Sequence, residues 1–174
     1  MTNIFVTSDT HFNHANILKF TDYSGNKVRD FSSVEEMNET LITRWNSVVK
    51  PGDKIYHLGD VFFGPKKWIE ENWHRLNGRK RLIVGNHDDI PYMVNHRMFE
   101  KVDMWRMFSE YHLLLSHVPV HDSVLGERGK TNKKLINVHG HIHTNASPSP
   151  FHRNVSTEVT NYYPISIEEL KAND

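Results

Sequence analysis

The amino-acid sequence predicts an α/β layered fold whose chemistry gathers at strand ends. Three observations carry that expectation. In the first half of the chain, short apolar runs alternate with polar loops and amphipathic segments. The second half holds further short apolar runs and fewer helical patterns. Residues able to bind metal follow the ends of these runs. Alternating strands and helices predict a sheet with helices packed on it. In such sheets, ligands bind in the crevice beyond the carboxyl ends of the strands.

Taken in order, residues 3–8 (NIFVTS) read as a short buried strand running into Asp9-Thr10-His11. Residues 33–49 read as the best helix: Ser33 and Glu36 fit a capping box, and Val34, Met37, Leu41, Trp45 and Val48 form one apolar face. Lys50-Pro51-Gly52-Asp53 stops it as a turn. Residues 55–58 form a second strand ending in Gly59-Asp60, and a helix follows near 65–76. Residues 80–84 form a third strand ending in Gly85-Asn86-His87-Asp88. Residues 98–108 are mixed, 111–115 read as a strand ending at Ser116-His117, and 135–138 as another ending at His139-Gly140-His141-Ile142-His143. The stretch 144–153 is turn-rich. Residues 154–160 alternate like a strand, and Ser166 with Glu169 fits the cap of a last short helix. Neither a repeat nor a linker interrupts residues 1–174, which read as a single domain.

Composition narrows the function classes. Lys plus Arg is 21 and Asp plus Glu is 21, so the formal charge is zero. That disfavours a protein coating nucleic acid by charge, and no stable duplex partner is expected. Hydrophobic residues at 37% and aromatics at 11% are enough for a core and argue against disorder. The absence of cysteine excludes a disulfide framework, a zinc ribbon and a thiol nucleophile. The N-terminal MTNIFVTSDT lacks the pattern of a signal peptide, and no apolar run approaches a membrane span. A cytoplasmic protein without a membrane partner is expected. The sequons at Asn38, Asn145 and Asn154 then read as coincidences of composition. Arg128, Lys130, Lys133 and Lys134 form a basic cluster, read as a solvated surface in preference to a device for steering anions. The count of 13 histidines is high for this length, so their placement matters.

The strand-terminal groups are Asp9-x-His11, Gly59-Asp60, Gly85-Asn86-His87-Asp88, His117 and Gly140-His141-x-His143. Carboxylate and neutral imidazole are ligands for divalent Mn, Fe, Zn or Ni. On extended backbone a D-x-H or H-x-H pair puts both side chains on one face. Each group alone has an ordinary explanation: D-x-H as a loop, GNHD as a capping turn, GHIH as a strand with satisfied histidines. Together, each closing an expected strand, they would require many buried polar groups with no purpose, at about 1–3 kcal/mol for each left unpartnered.

The order of these motifs resembles the calcineurin-like metallophosphoesterase superfamily across residues 9–143. The stretches TSDTHFNHANILKF, YHLGDV and LIVGNHD resemble its small single-domain members from bacteria and phages, and no motif position is broken. The resemblance implies a two-sheet β-sandwich flanked by helices, the metallo-dependent phosphatase fold. It implies two divalent metals, with manganese favoured over iron, zinc, nickel or magnesium. Asp9, His11, Asp60 and His143 would hold the first, and Asp60, Asn86, His117 and His141 the second. Asp60 would bridge, its two oxygens each able to face one ion. His87, not needed as a ligand, corresponds to the family's general acid, a role suited to an imidazole. Asn86 and His14 are the candidate substrate contacts, although a solvent-facing start of a helix is as good a reading for His14 and Asn16. His139 is assigned to the support of the GHIH motif or to the strand core.

The activity so implied is hydrolysis of a phosphate ester, in a small molecule or nucleotide, by in-line attack of a water activated between two metals. A phosphodiester is favoured, because an acid at His87 helps a poor leaving group most. The alternatives are a phosphomonoesterase acting on nucleotides or phosphoproteins, and a non-catalytic metal-binding scaffold. The scaffold reading is weakened by the intact motifs, since relatives of that kind have typically lost ligands.

Overall fold

The computed structural model describes residues 2–22, 24–127 and 134–171. The first sheet has the order β10-β1-β2-β3-β4. Its strands are β1 (Ile4–Thr7), β2 (Lys54–His57), β3 (Arg79–Ile83), β4 (Lys101–Asp103) and β10 (Ile165–Ser166). β1 to β4 are mutually parallel, and β10 joins β1 antiparallel. The second sheet has the order β5-β6-β8-β7, with β9 also on β8. It comprises β5 (Trp105–Phe108), β6 (Leu113–Ser116), β7 (Gly126–Glu127), β8 (Lys134–His139) and β9 (His152–Asn154). Here β6, β8 and β9 run parallel to one another.

Side-chain alternation along the strands builds two cores. In β2, Ile55 joins the cluster with the helices and Tyr56 joins the cluster between the sheets; Leu82 and Ile83 divide the same way in β3. The first cluster holds Met37, Leu41 and Trp45 from α1 (Val34–Val48), Ile69 from α2 (Lys66–Asn72) and Met93 from α3 (Ile90–Asn95). The second packs Val6, Tyr56, Leu58 and Ile83 against Phe108, Leu113, Leu115, Ile136 and Val138. The fold is therefore two mixed sheets in a sandwich, with the helices on the outer face of the first sheet.

Helix α1 begins at the expected cap, where the Ser33 hydroxyl accepts from the Glu36 N–H at 3.1 Å. The return bond differs from a capping box: Glu36 Oε2 takes the Ser32 N–H and hydroxyl instead of the Ser33 N–H. The expected helix near 65–76 divides into α2 and a 3-10 turn, Trp73–Arg75, which hands the chain to β3. The mixed stretch 98–108 becomes β4 and β5, so the chain changes sheets there. Helix α3 was not expected; Asp89 caps it by accepting from the Tyr92 N–H at 3.1 Å, and Pro91 opens it. Two expectations fail. Of 154–160, only Asn154 belongs to a strand; Ser156 makes a lone bridge to Ser8, and the chain then turns, with Thr157 N–H bonded to Ser8 O. The alternation there arises because Val155 packs between the sheets while Ser156 and Thr157 face the loop after β1. The last helix is also absent: Ser166 lies in β10, and Glu168 and Glu169 bond back to it in a single turn. Arg128, Lys130 and Lys133 of the basic cluster lie outside the described residues; Lys134 starts β8 and is exposed. No helix among the described residues is long and apolar enough to cross a membrane.

Candidate metal centre

Parallel pairing puts the ends of β1, β2 and β3 on one edge of the first sheet, and those of β6 and β8 on one edge of the second. Loop bonds then join the edges. Asp9 N–H bonds Gly59 O at 3.0 Å, His11 N–H bonds Asp60 O at 3.1 Å, and Gly140 N–H bonds His117 O at 2.9 Å. Between the sheets, His141 N–H donates to Asp9 Oδ2 at 2.9 Å.

Two groups of side chains converge there. Asp9, His11 and His143 bring ligand atoms within 4.8 Å of one another, and Asp60, His117 and His141 do the same. Asp60 Oδ2 lies between the groups, 3.8 Å from His11 Nε2 and 3.6 Å from His117 Nε2. Its other oxygen accepts the His87 N–H at 3.0 Å. Oδ1 thus accepts a backbone donor, while Oδ2 is set toward imidazoles of both groups. Asn86 joins the second group through Oδ1, 2.8 Å from His117 Nε2, which is also 3.1 Å from His141 Nδ1.

The unsatisfied atoms fit a cation. Asp9 Oδ1 and both ring nitrogens of His11 are buried with no hydrogen-bond partner. Asp9 Oδ2, in contrast, is anchored by His141 N–H and the Ser156 hydroxyl. One carboxylate oxygen is fixed by the protein while the other stays free, in a nitrogen and oxygen donor set suited to divalent first-row ions. A Cβ on Gly85 would run into the Asp60 carboxylate, and one on Gly140 into Asp9 and Ser8, so the carboxylates fill space that only glycine leaves.

Charge is arranged to match. Burial alone would raise the Asp9 carboxyl, but the imidazoles of His11, His143 and His117 outweigh it and hold it well below the usual carboxylate range. Burial pushes the His11 and His141 imidazoles down, toward the neutral form that a ligand needs. Burial also lowers His14, to about 4.

His87 is exposed, and its ring belongs to neither group. It sits 5.0 Å from the Phe63 ring and 6.5 Å from that of His11. His14 stacks on Phe63 at 4.2 Å and lies 5.5 Å from His11, at the rim of the first group. Asn16 is exposed and accepts from Lys19. His139 is fully buried at the end of β8 and holds the following loop through Gly140 O and Ser147 Oγ.

Sequence reasoning gave no role to Asp88, Arg29 or Glu158. Asp88 accepts backbone N–H bonds from Asp60, Val61 and Gly85 at 3.1, 2.9 and 2.8 Å, pinning the Gly59-Asp60 loop to the Gly85-Asn86 loop. Its place within GNHD was a usable signal. Arg29 and Glu158, 129 positions apart, pair at 2.7 Å beside His143, and no local pattern announces them. Burial would raise the Glu158 carboxyl, but Arg29 and His143 hold it down; Glu158 in turn raises His143 against the effect of burial.

Comparison with known proteins gives a consistent result. The chain matches the model of the calcineurin-like phosphoesterases over residues 2–171. It is 37% identical to the uncharacterized protein MJ1445 of Methanocaldococcus jannaschii, with 97% of this chain and 89% of that protein covered. It is 30% identical to the gene 66 protein of a Mycobacterium phage, covering 83% of this chain and 79% of the relative. Among solved structures, a protein of unknown function from Aquifex aeolicus, AQ665, superposes with a TM-score of 0.71 at 29% identity, covering 98% of each chain.

Proposed function

Because this chain belongs to the calcineurin-like phosphoesterase family, we propose that it hydrolyses phosphate esters at a dinuclear metal centre, with phosphodiesters preferred. The observation that carries the proposal is Asp60 Oδ2, set between two separate groups of metal-ligating side chains. Two divalent ions there, manganese by preference, would draw charge from the phosphoryl oxygens and activate a water for in-line attack. Asp9, His11 and His143 would hold one ion, and Asn86, His117 and His141 the other, with Asp60 shared.

The remaining work falls to side chains of the cleft. His87 is free of both groups and open to solvent, while its backbone N–H keeps it beside Asp60. Its ring is placed to give a proton to the departing ester oxygen. That service matters most for an alkoxide, which supports a diester. His14, neutral through burial, would meet the substrate as a hydrogen-bonding group and not as a cation. Asn86 is exposed beside the second group, with Oδ1 on His117, so its amide nitrogen can reach a phosphoryl oxygen. The zero formal charge supports a small phosphate ester or nucleotide as substrate over a duplex nucleic acid.

The test is turnover by protein stripped with a chelator and resupplied with Mn²⁺. Bis-p-nitrophenyl phosphate should be cleaved only with metal, and faster than p-nitrophenyl phosphate. A faster monoester would replace the diester preference with a phosphomonoesterase. Two bound ions without turnover of either ester would make the protein a metal-binding scaffold.

A further inference from the structure

We propose that Glu158, locked in place by Arg29, is a positioning residue of the metal centre: it fixes the His143 ring so that Nε2 is the atom offered to metal. The proposal rests on the dinuclear reading of the cleft and adds a role for two residues outside the ligand set.

Four observations carry it. The Arg29 side chain is 0% exposed and that of Glu158 is 2% exposed, so this is an ion pair taken out of water. The Arg29 guanidinium is saturated on every side. Nε donates to Glu158 Oε1 at 2.7 Å and Nη1 to Thr10 O at 2.8 Å, with Met37 Sδ also near Nη1 at 3.5 Å. Nη2 donates to Asp9 O and, at 3.1 Å, to Thr157 Oγ1. The same Glu158 Oε1 lies 2.9 Å from His143 Nδ1, which leaves Nε2 as the ring atom for the cleft. His143 O, finally, accepts from Asn154 Nδ2 at 2.6 Å, so both ring and backbone of this residue are held.

Stability alone does not account for such a pair. A buried ion pair repays its desolvation poorly, and apolar side chains of similar volume are often as stable. Glu158 Oε2 is buried with no partner, an added cost. What the pair does achieve is geometric. One end grips the backbone carbonyls of Asp9 and Thr10 in the first ligand loop, and the other sets the ring of His143 in the loop after β8. An imidazole whose Nδ1–H is held by a carboxylate has a fixed tautomer and a more basic Nε2, and loss of such a partner typically weakens metal binding by about 10–100-fold.

The experiment is calorimetric titration of the stripped full chain with Zn²⁺, for wild type, Glu158→Ala and Glu158→Gln. In Glu158→Ala, one of two Zn²⁺ sites should weaken by about 10–100-fold while the other keeps its affinity. Glu158→Gln retains an acceptor for Nδ1–H and should lose less. Should the alanine variant fail to fold because the buried Arg29 charge loses its partner, the wild type supplies a second measurement. In the Zn²⁺-loaded protein, ¹⁵N-histidine spectra should show His143 protonated on Nδ1 and metal-bound on Nε2. Metal on Nδ1, or two unchanged sites in a folded Glu158→Ala, would overturn the positioning role and leave the dinuclear reading standing. A wild type that binds no Zn²⁺ would remove both.

Discussion

His87→Ala gives the sharpest test of how the cleft works, because the structure separates the ring from everything else residue 87 does. The backbone N–H that holds Asp60 Oδ1 at 3.0 Å survives in alanine. The ring ligates in neither metal group, so both ions should remain. Its ring is exposed and pairs with those of Phe63 and His11, and loss of an aromatic pair of this kind costs about 0.5–1.5 kcal/mol of stability. What remains is the proton. General acid catalysis is worth about 10²–10⁴-fold, or roughly 3–5 kcal/mol of barrier. An alkoxide leaving group needs that proton in the transition state, whereas p-nitrophenolate hardly does. The rate defect should therefore approach the full range on a dialkyl or nucleoside diester and shrink to a few-fold on bis-p-nitrophenyl phosphate. The assay is log rate against leaving-group pKa for wild type and variant, with metal content measured on both. The variant line should be steeper. Parallel lines would refute the acid role, and lost metal would show that residue 87 shapes the ligand loop instead.

Two further outcomes follow from the same geometry. Asp60→Asn should lower occupancy of both metal sites, whereas Asp9→Asn should chiefly empty the one it shares with His11 and His143; elemental analysis of the purified variants checks this, and full occupancy in Asp60→Asn would deny it the central place. His57, fully buried and held down to about 3 by that burial, should make the metal-free protein acid-sensitive, since its folded pKa lies below the unfolded value of about 6.5. Its stabilising contribution is complete above about pH 6.5 and declines toward pH 3 by about 1.4 kcal/mol per pH unit. Urea midpoints between pH 8 and 5 should therefore fall less steeply for His57→Gln than for wild type, and equal slopes would contradict the assignment.

The parts of this fold legible in the sequence were those with local causes. Helix α1 carries its cap and its apolar stripe within a few residues of each other, and each motif loop follows its own strand. Residues 154–160 alternate without forming a strand because Val155 enters the core while the polar Ser156 and Thr157 are buried against the Asp9 loop, and alternation does not report whether a neighbour strand is present. Past the lone bridge at Ser156, residues 157–160 pair with no strand. The same distance effect hid Arg29 and Glu158, whose partnership exists only once β1 and the segment after β9 are adjacent. His57 was equally silent. Its Nδ1 accepts from Gly59 N–H and its Nε2 meets Thr10 Oγ1 at 2.8 Å, so it braces two ligand loops, a role that its place in YHLGDV does not announce.

The backbone shows why so much of the molecule is committed to holding these loops. Asp9, His11, Asp60, His141 and His143 all have positive φ, between 47° and 69°. Each such residue costs about 1–3 kcal/mol and persists only where the surroundings over-determine it. Asp and His tolerate this region better than β-branched residues do, so the ligand types and the turns they occupy are compatible. Over-determination is visible at Asp9, Asp60 and His143. Asp9 is held through its carbonyl by Arg29 and through Oδ2 by His141 N–H. The Asp60 loop is pinned by Asp88, and His143 by Asn154 and Glu158. A sharp left-handed turn directly after a strand lifts the side chain out of the sheet plane and over its edge. Carried out at the ends of strands from both sheets, it aims two donor sets at a common centre. Asp9, Asp60 and His143 are therefore held by bonds within the protein itself. Loosening one of the braces should for that reason appear first as weaker metal affinity, and only later as loss of the fold.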